Sequence, residues 1–286
     1  MSSLELAQDH PPTRARAWES QRPRRDSLAV ALRWPATFLH RSALLIALLG
    51  LWEIAPRLGL ADPAFLPPLS DVLAAGWELT LNGQLYEHVG ASLFRILSGF
   101  TIAVVFIVPL GLAIGWYGRL GDTLNQLIEV LRNTAPLALL PVFILLLGIG
   151  ELSKVTMVIY SCAWPLLLNT IAAVRQVDPL LIKSARTMGV SPLQLFIMVI
   201  LPASLPMIFV GVRLASAAAM LVLVASEMVG AKAGLGYLII YTQYNFLIPQ
   251  MYFGILAITA LGLVSNHVLV SLERRFTRWK PASVST

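Results

Sequence analysis

Six apolar runs limit what this chain can fold into: about Phe38 to Ile54, Ser92 to Trp116, Pro136 to Ile149, Val155 to Val174, Ala203 to Val229 and Met251 to Val270. Most approach the ~20 residues that a helix needs to cross ~30 Å of hydrocarbon. The third is short, and either the preceding amphipathic segment Leu124 to Leu131 lengthens it or it is re-entrant. With 57% apolar and only 13% charged residues and a mean hydropathy of +0.75, the chain cannot build a soluble surface. The expected class is an all-α, polytopic membrane protein of about six transmembrane helices. It divides into a basic tail over 1–37, a membrane domain over 38–276 and a short tail over 277–286.

The cations orient it. With the N-terminus in the cytoplasm, sixteen Lys/Arg fall on that side: seven in the tail from Arg14 to Arg41, then Arg119, Arg132, Arg175, Lys183, Arg186, Arg274, Arg275, Arg278 and Lys280. The opposite side takes Arg57, Lys154 and Lys232, while Arg95 and Arg213 lie within spans. This asymmetry puts both termini in the cytoplasm, and it makes the basic pI of about 9.8 a signal of topology, with nucleic acid excluded as a partner. The tail is rich in Arg and Pro without a sustained apolar period, so it reads as disordered. A secretory signal over Ser42 to Trp52 is the competing reading; against it stand a long polar leader and the want of a prompt small-residue cleavage site. Cys162, the single cysteine, sits inside the fourth run, which excludes internal disulfides.

The sequence carries no catalytic or cofactor signature. It has no phosphate loop ending in Gly-Lys-Ser/Thr, no His-Glu-x-x-His pair and no Asp within a span, so metal, cofactor and catalytic residues are all expected to be none. Gly230-Ala-Lys-Ala-Gly-Leu-Gly236 has the look of a phosphate loop, but it follows a membrane helix and no strand precedes it. It reads as a flexible turn or re-entrant bend.

Between the fourth and fifth runs lies a polar loop, 175–202, with strong local signals. Asp178-Pro179 supplies an N-cap and a proline at the first helical position, and Leu181, Ala185 and Met188 recur as one apolar stripe. Gly189 closes that helix, and Ser191-Pro192-Leu193-Gln194 opens another with a capping box. Pro202 and Pro206 are expected to interrupt the ladder where the chain re-enters the membrane. The product is two short helices at an angle, either shaped to sit in a partner's groove or an ordinary interfacial hairpin.

Lys183-Ser184-Ala185-Arg186-Thr187-Met188-Gly189, followed nine residues later by Val199-Ile200-Leu201-Pro202, resembles the cytoplasmic coupling loop of bacterial ABC importer permeases, whose pattern is Glu-Ala-Ala, three residues, Gly, nine residues, Ile-x-Leu-Pro. Leu131 to Pro136, Leu147 to Lys154, Val174 to Pro179, Val210 to Arg213, Ala225 to Glu227 and Gly234 to Gly236 look like the permeases for aliphatic sulfonates, taurine, nitrate and bicarbonate, over about Leu44 to Arg275. The resemblance implies the type I importer permease fold in the bacterial inner membrane. It also implies a homodimer of this chain, two cytoplasmic ATPase subunits that bind ATP and Mg, and an external solute-binding protein. The ATPase-coupling residues it implies are Asp178, Pro179, Leu181, Lys183, Ser184, Ala185, Met188, Gly189, Leu201 and Pro202. Lys183 and Ser184 depart from the pattern's leading Glu and first Ala, and a reversed charge at a docking surface costs affinity unless the partner matches it.

For the cargo the residues give a sign only. An arginine within a span is costly and faces protein or water, so Arg213 suits an anion. Arg95, Asn169, Arg213, Ser216, Met220 and Glu227 are the candidate pathway residues. In the competing reading Arg213 and Arg95 pair with Glu53, Glu227 or free carbonyls to hold helices together, and Asn169 with Ser161 is polar glue. The small residues of Gly111-x-x-x-Gly115 and Ala215 to Ala219 are expected to allow close helix packing. The expected transported species is a sulfonate or taurine, with nitrate or bicarbonate next; an ion-coupled secondary transporter is the alternative of a different class.

Overall fold

The computed structural model describes residues 43–277. The expected tail over 1–37, the first residues of the first expected span and all but Thr277 of the last segment lie outside them. The described residues form eleven α-helices and no strand. They are α1 (43–57), α2 (Leu69–Leu81), α3 (Gln84–Trp116), α4 (Gly118–Arg132), α5 (Leu140–Leu147, led by a 3-10 turn Pro136–Leu139), α6 (Glu151–Arg175), α7 (Pro179–Thr187), α8 (Pro192–Leu195), α9 (Leu201–Met228), α10 (Leu235–Tyr244) and α11 (Ile248–Phe276).

Among the described residues four helices are long and apolar enough to cross a membrane: Gln84–Trp116, Glu151–Arg175, Pro192–Met228 and Ile248–Phe276. The third expected span is a bent pair, Gly118–Arg132 and Pro136–Leu147, turned through 80°. Leu124 to Leu131 therefore does not extend that span in a straight line. Pro136 explains the turn: it has no N–H to continue the ladder, and it holds Ala135 extended at φ −62°, ψ 121°.

The second helix of the polar loop departs from expectation. It does not stand apart, because α8 passes through a π turn, Phe196–Ile200, directly into α9. The missing N–H of Pro202 is absorbed by that widened turn, and the helix continues past Pro206 without a break.

α6 lies at the centre, packed along α3 on one side and α9 on the other. Small residues set both seams. A Cβ on Gly99 would stand 2.7 Å from Val158 Cγ1, one on Gly111 2.8 Å from Thr170 Cβ, and one on Gly115 2.8 Å from Val174 Cβ. The sequence separation is the same in all three pairs, so α3 and α6 run parallel in one fixed register. α9 returns antiparallel, with a Cβ on Gly211 meeting Asn169 Cβ at 2.7 Å and Cys162 Sγ lying 3.6 Å from the Ala215 carbonyl. Ala103, Val158, Cys162, Leu166, Ala215 and Ala219 are fully enclosed along these seams. Where lipid offers no less apolar surroundings than a core does, such close backbone approach is what holds helices together.

Outside this trio α2 and α10 pack on α11, whose only buried residue is Gly254. Trp52 of α1 donates Nε1–H to the Pro67 carbonyl at 3.1 Å and meets the ring of Tyr252 at 5.7 Å.

Candidate functional site

The α7 loop is built by its own sequence. The Asp178 carboxylate accepts the Leu180 N–H at 2.8 Å, which caps α7. Gly189 takes φ +74°, where any side chain would be strained, and ends the helix. Gln194 N–H donates to Ser191 Oγ at 3.4 Å and Ser191 N–H to Gln194 Oε1 at 3.1 Å, completing the capping box. Ala185 packs inward with Val174, Val177, Leu195 and Ile200. The rest of the expected stripe points away: Leu181 is 51% and Met188 81% exposed, and Lys183, Ser184, Arg186 and Thr187 are exposed too. A firm backbone thus presents apolar and basic side chains that no described residue covers. Leu201 and Pro202 begin α9 and are half-buried.

At the opposite end of the bundle lies a buried charge cluster. The Arg95 guanidinium grips Glu151 with two parallel bonds, Nε–H to Oε2 at 2.5 Å and Nη2–H to Oε1 at 2.6 Å. Its Nη1–H groups reach Glu227 Oε1 and the Ala233 carbonyl, both at 2.7 Å. Glu227, with no exposed surface, also accepts the Ser92 hydroxyl at 2.8 Å and the Gly236 N–H at 2.8 Å. Ser92 Oγ in turn accepts the Leu235 N–H at 2.8 Å, and His88 Nδ1 accepts the Gly234 N–H at 3.3 Å. Lys154, 3% exposed, donates to the Gly150 carbonyl at 3.1 Å. Two cations and two carboxylates balance, with Glu151 58% exposed at the rim and the other three buried, and almost every polar atom is satisfied, the condition under which a buried ionic group is tolerable.

Register creates this cluster. The parallel seam brings Arg95 of α3 beside the first turn of α6, and the antiparallel seam brings the last turn of α9 to the same place. Gly230 to Gly236 closes it as a tightly held bend, so of the two expected readings, flexible turn or re-entrant bend, flexibility is the part that does not fit. At Gly234, with φ +126°, a Cβ would stand 2.5 Å from Glu227 Cδ and 2.7 Å from Arg95 Nη1. Any Cβ at Gly236 would collide with the Val224 carbonyl and lie 2.8 Å from Glu227 Cβ.

The candidate pathway residues therefore separate. Arg95 and Glu227 are joined to each other and saturated, while Glu53, offered as a partner for either arginine, is engaged with Arg57 at 2.6 Å and the Ser70 N–H at 2.9 Å. Arg213 lies elsewhere: its Nη1 is 3.3 Å from Glu273 of α11, its side chain is 36% exposed, and Glu273 borders a cavity of about 510 Å³ with Gln176, Met207 and Val210. Ser216 and Met220 follow on α9, half-buried. Asn169 donates to the Pro165 carbonyl of its own helix at 2.8 Å and abuts Gly211, whereas the buried Ser161 hydroxyl has no partner among the described residues.

Sequence reasoning missed Glu151, the second carboxylate, and counted Lys154 only among the cations on the side opposite the cytoplasm; it lies in the first turn of α6, buried beside the cluster. The acidic residue following Gly148-Ile149-Gly150 was the available signal. Among the described residues no group of three or more His, Cys, Asp or Glu side chains could hold a metal ion.

Residues 107–280 match the family model described as binding-protein-dependent transport system inner membrane component. The chain is 36% identical to the putative aliphatic sulfonates transport permease protein SsuC of Escherichia coli, over 83% of this chain and 90% of that one. It is 33% identical to the taurine transport system permease protein TauC of the same organism, over 86% and 92%. Among solved structures it is similar to the MetNI methionine ABC transporter in inward facing conformations, with a TM-score of 0.57 at 20% identity, covering 66% of this chain and 94% of that one. At that identity the likeness concerns the fold.

Proposed function

Since this chain belongs to the ABC importer permeases, the binding-protein-dependent transport system inner membrane components, we propose that it forms half of the membrane pathway of an ATP-driven importer for a small anion, a sulfonate or taurine before nitrate or bicarbonate. The observation that carries the anion reading is the agreement with the sulfonate and taurine permeases over more than four-fifths of the chain. Two copies of the chain enclose the pathway, with both termini and the α7 loop in the bacterial cytoplasm and the Arg95 cluster at the outer end.

The exposed face of α7, with Leu181, Met188 and Lys183, docks into a groove on a cytoplasmic ATPase subunit. Lys183, where the family pattern has Glu, calls for an acidic neighbour on that subunit. ATP binding closes the ATPase pair, α7 carries the movement, and the pathway alternates between its two faces. Arg213, partly exposed and only loosely paired, is the cation that lowers the barrier for an anion beside Ser216 and Met220.

Uptake of labelled taurine, an alkanesulfonate and nitrate into cells or proteoliposomes, with and without the co-expressed ATPase and external binding protein, tests the reading. Uptake that requires both and prefers a sulfonate supports it. Uptake without the ATPase means a secondary transporter, and uptake restricted to nitrate or to a cation overturns the sulfonate assignment.

A further inference from the structure

The Arg95 cluster ties together four segments that no local bond connects: α3, the first turn of α6, the last turn of α9 and the bend entering α10. Arg95 bonds directly to Glu151, Glu227 and the Ala233 carbonyl, and the remaining ties run from Ser92 to Glu227, from Gly236 to Glu227, and from Ser92 and His88 to the bend. We propose that Arg95 is a positioning residue that locks these ends into one block, so that they stay together through the transport cycle while the movement takes place between the two permease copies and at the α7 end. The proposal rests on the reading of the chain as half of an ATP-driven importer.

The physical argument is the cost of separation. Arg95, Lys154 and Glu227 have 3% exposed surface or less, and pulling any pair apart inside the protein leaves a buried charge without its partner. Steric fit adds to this, because Gly234 and Gly236 bring the backbone so close to Glu227 that there is no slack for a half-open arrangement. The parallel α3–α6 seam, glycine-spaced from Gly99 to Gly115, continues the same rigid contact along the helices. The α7 end is different: α8 is continuous with α9, but α7 makes few contacts with the trio and bears an apolar face that no described residue covers. A load applied there can shift α7 without disturbing the outer block.

The test is to lock the block and ask whether the pump still turns over. The rings of His88 on α3 and Tyr237 on α10 lie 5.8 Å apart, and the natural cysteine, Cys162, is fully buried, so the pair His88→Cys and Tyr237→Cys is joined selectively by a short bifunctional thiol reagent. The permease–ATPase complex is reconstituted in lipid, and vanadate-sensitive ATP hydrolysis is measured before and after cross-linking, with the fraction bridged read by mass spectrometry. The proposal expects no loss of turnover in the bridged protein. Arrest on bridging, with activity restored by cleaving the spacer, shows that these ends part in each cycle and overturns the proposal.

A second measurement covers the case in which the double variant assembles poorly. Hydrogen exchange across 229–236 in the wild-type complex, compared between the nucleotide-free and vanadate-trapped states, is expected to be equally slow in both; faster exchange in either state overturns the clamp. If no ATPase co-assembles with the chain, the pump reading fails and takes the clamp with it. If ATPase activity is present and bridging arrests it, the pump reading stands and only the clamp falls.

Discussion

Replacing Glu227 by alanine removes a fully buried carboxylate from the buried Arg95 guanidinium, which keeps its two bonds to the 58%-exposed Glu151. Before the change the cluster contains Arg95, Lys154, Glu151 and Glu227 and is neutral; afterwards it carries one uncompensated positive charge. Breaking one side of a buried pair costs about 3–5 kcal/mol. The Gly236 N–H, in the first turn of α10 and without an intrahelical acceptor, loses its partner as well, at about 1–3 kcal/mol. These contributions overlap, since both arise from the same cavity, so about 4–6 kcal/mol is expected, a drop on the order of 10 °C in the unfolding midpoint for a chain of this size.

Cys162 provides the assay, because it is fully buried between α6 and α9 and reacts with a fluorogenic maleimide only when that seam opens. The companion variant, Arg95→Leu with Glu227→Leu, removes one charge of each sign and leaves Lys154 opposite Glu151. It should recover a good part of the loss. A Glu227→Ala protein that unfolds at the wild-type temperature, or a double variant less stable than the single, would refute the view that charge balance holds this end together.

Gly189→Val forces a β-branched side chain into φ +74°, a local strain of about 1–2 kcal/mol at the end of α7; the protein should insert normally but hydrolyse ATP without uptake, and normal coupling, or cross-links placing the ATPase on Arg119 to Arg132, would count against α7 as the contact. Arg213→Gln removes a partly exposed pair worth no more than about 1 kcal/mol, so thermal stability should barely move while anion uptake falls; unchanged uptake removes Arg213 from the pathway. Gly111→Leu drives a side chain into Thr170 across the α3–α6 seam and should lower stability by about 1–3 kcal/mol, measured with the same thiol dye, whereas Gly118→Leu, where a Cβ meets nothing, should not.

Short-range interactions were legible in the sequence because their partners sit a few residues apart. Asp178 caps α7 two residues on, Ser191 and Gln194 close their box at three, and Gly189 needs only its own backbone angle, so residue type and spacing were enough. The spanning helices were legible for a similar reason: hydrocarbon forces each apolar run of sufficient length to satisfy its own backbone, whatever its neighbours do. Pro136 and Pro202 show where that rule weakens. Both lack an N–H, but one falls where the chain bends by 80° and the other is absorbed in a π turn, an outcome set by the packing of the segments that follow.

Tertiary structure alone decided the partners of the charged residues. Arg95 meets Glu227 across 132 positions and Glu151 across 56, and no local pattern distinguishes those carboxylates from Glu53 or Glu273. The choice follows from the register of α3, α6 and α9, which is fixed by where a glycine on one helix lets a Val or Thr on the next come close. The Gly234-Leu235-Gly236 bend likewise acquires its meaning only when α9 delivers Glu227 beneath it. A glycine can be read from the sequence as permissive, but what fills the space it leaves is decided by the neighbouring helix.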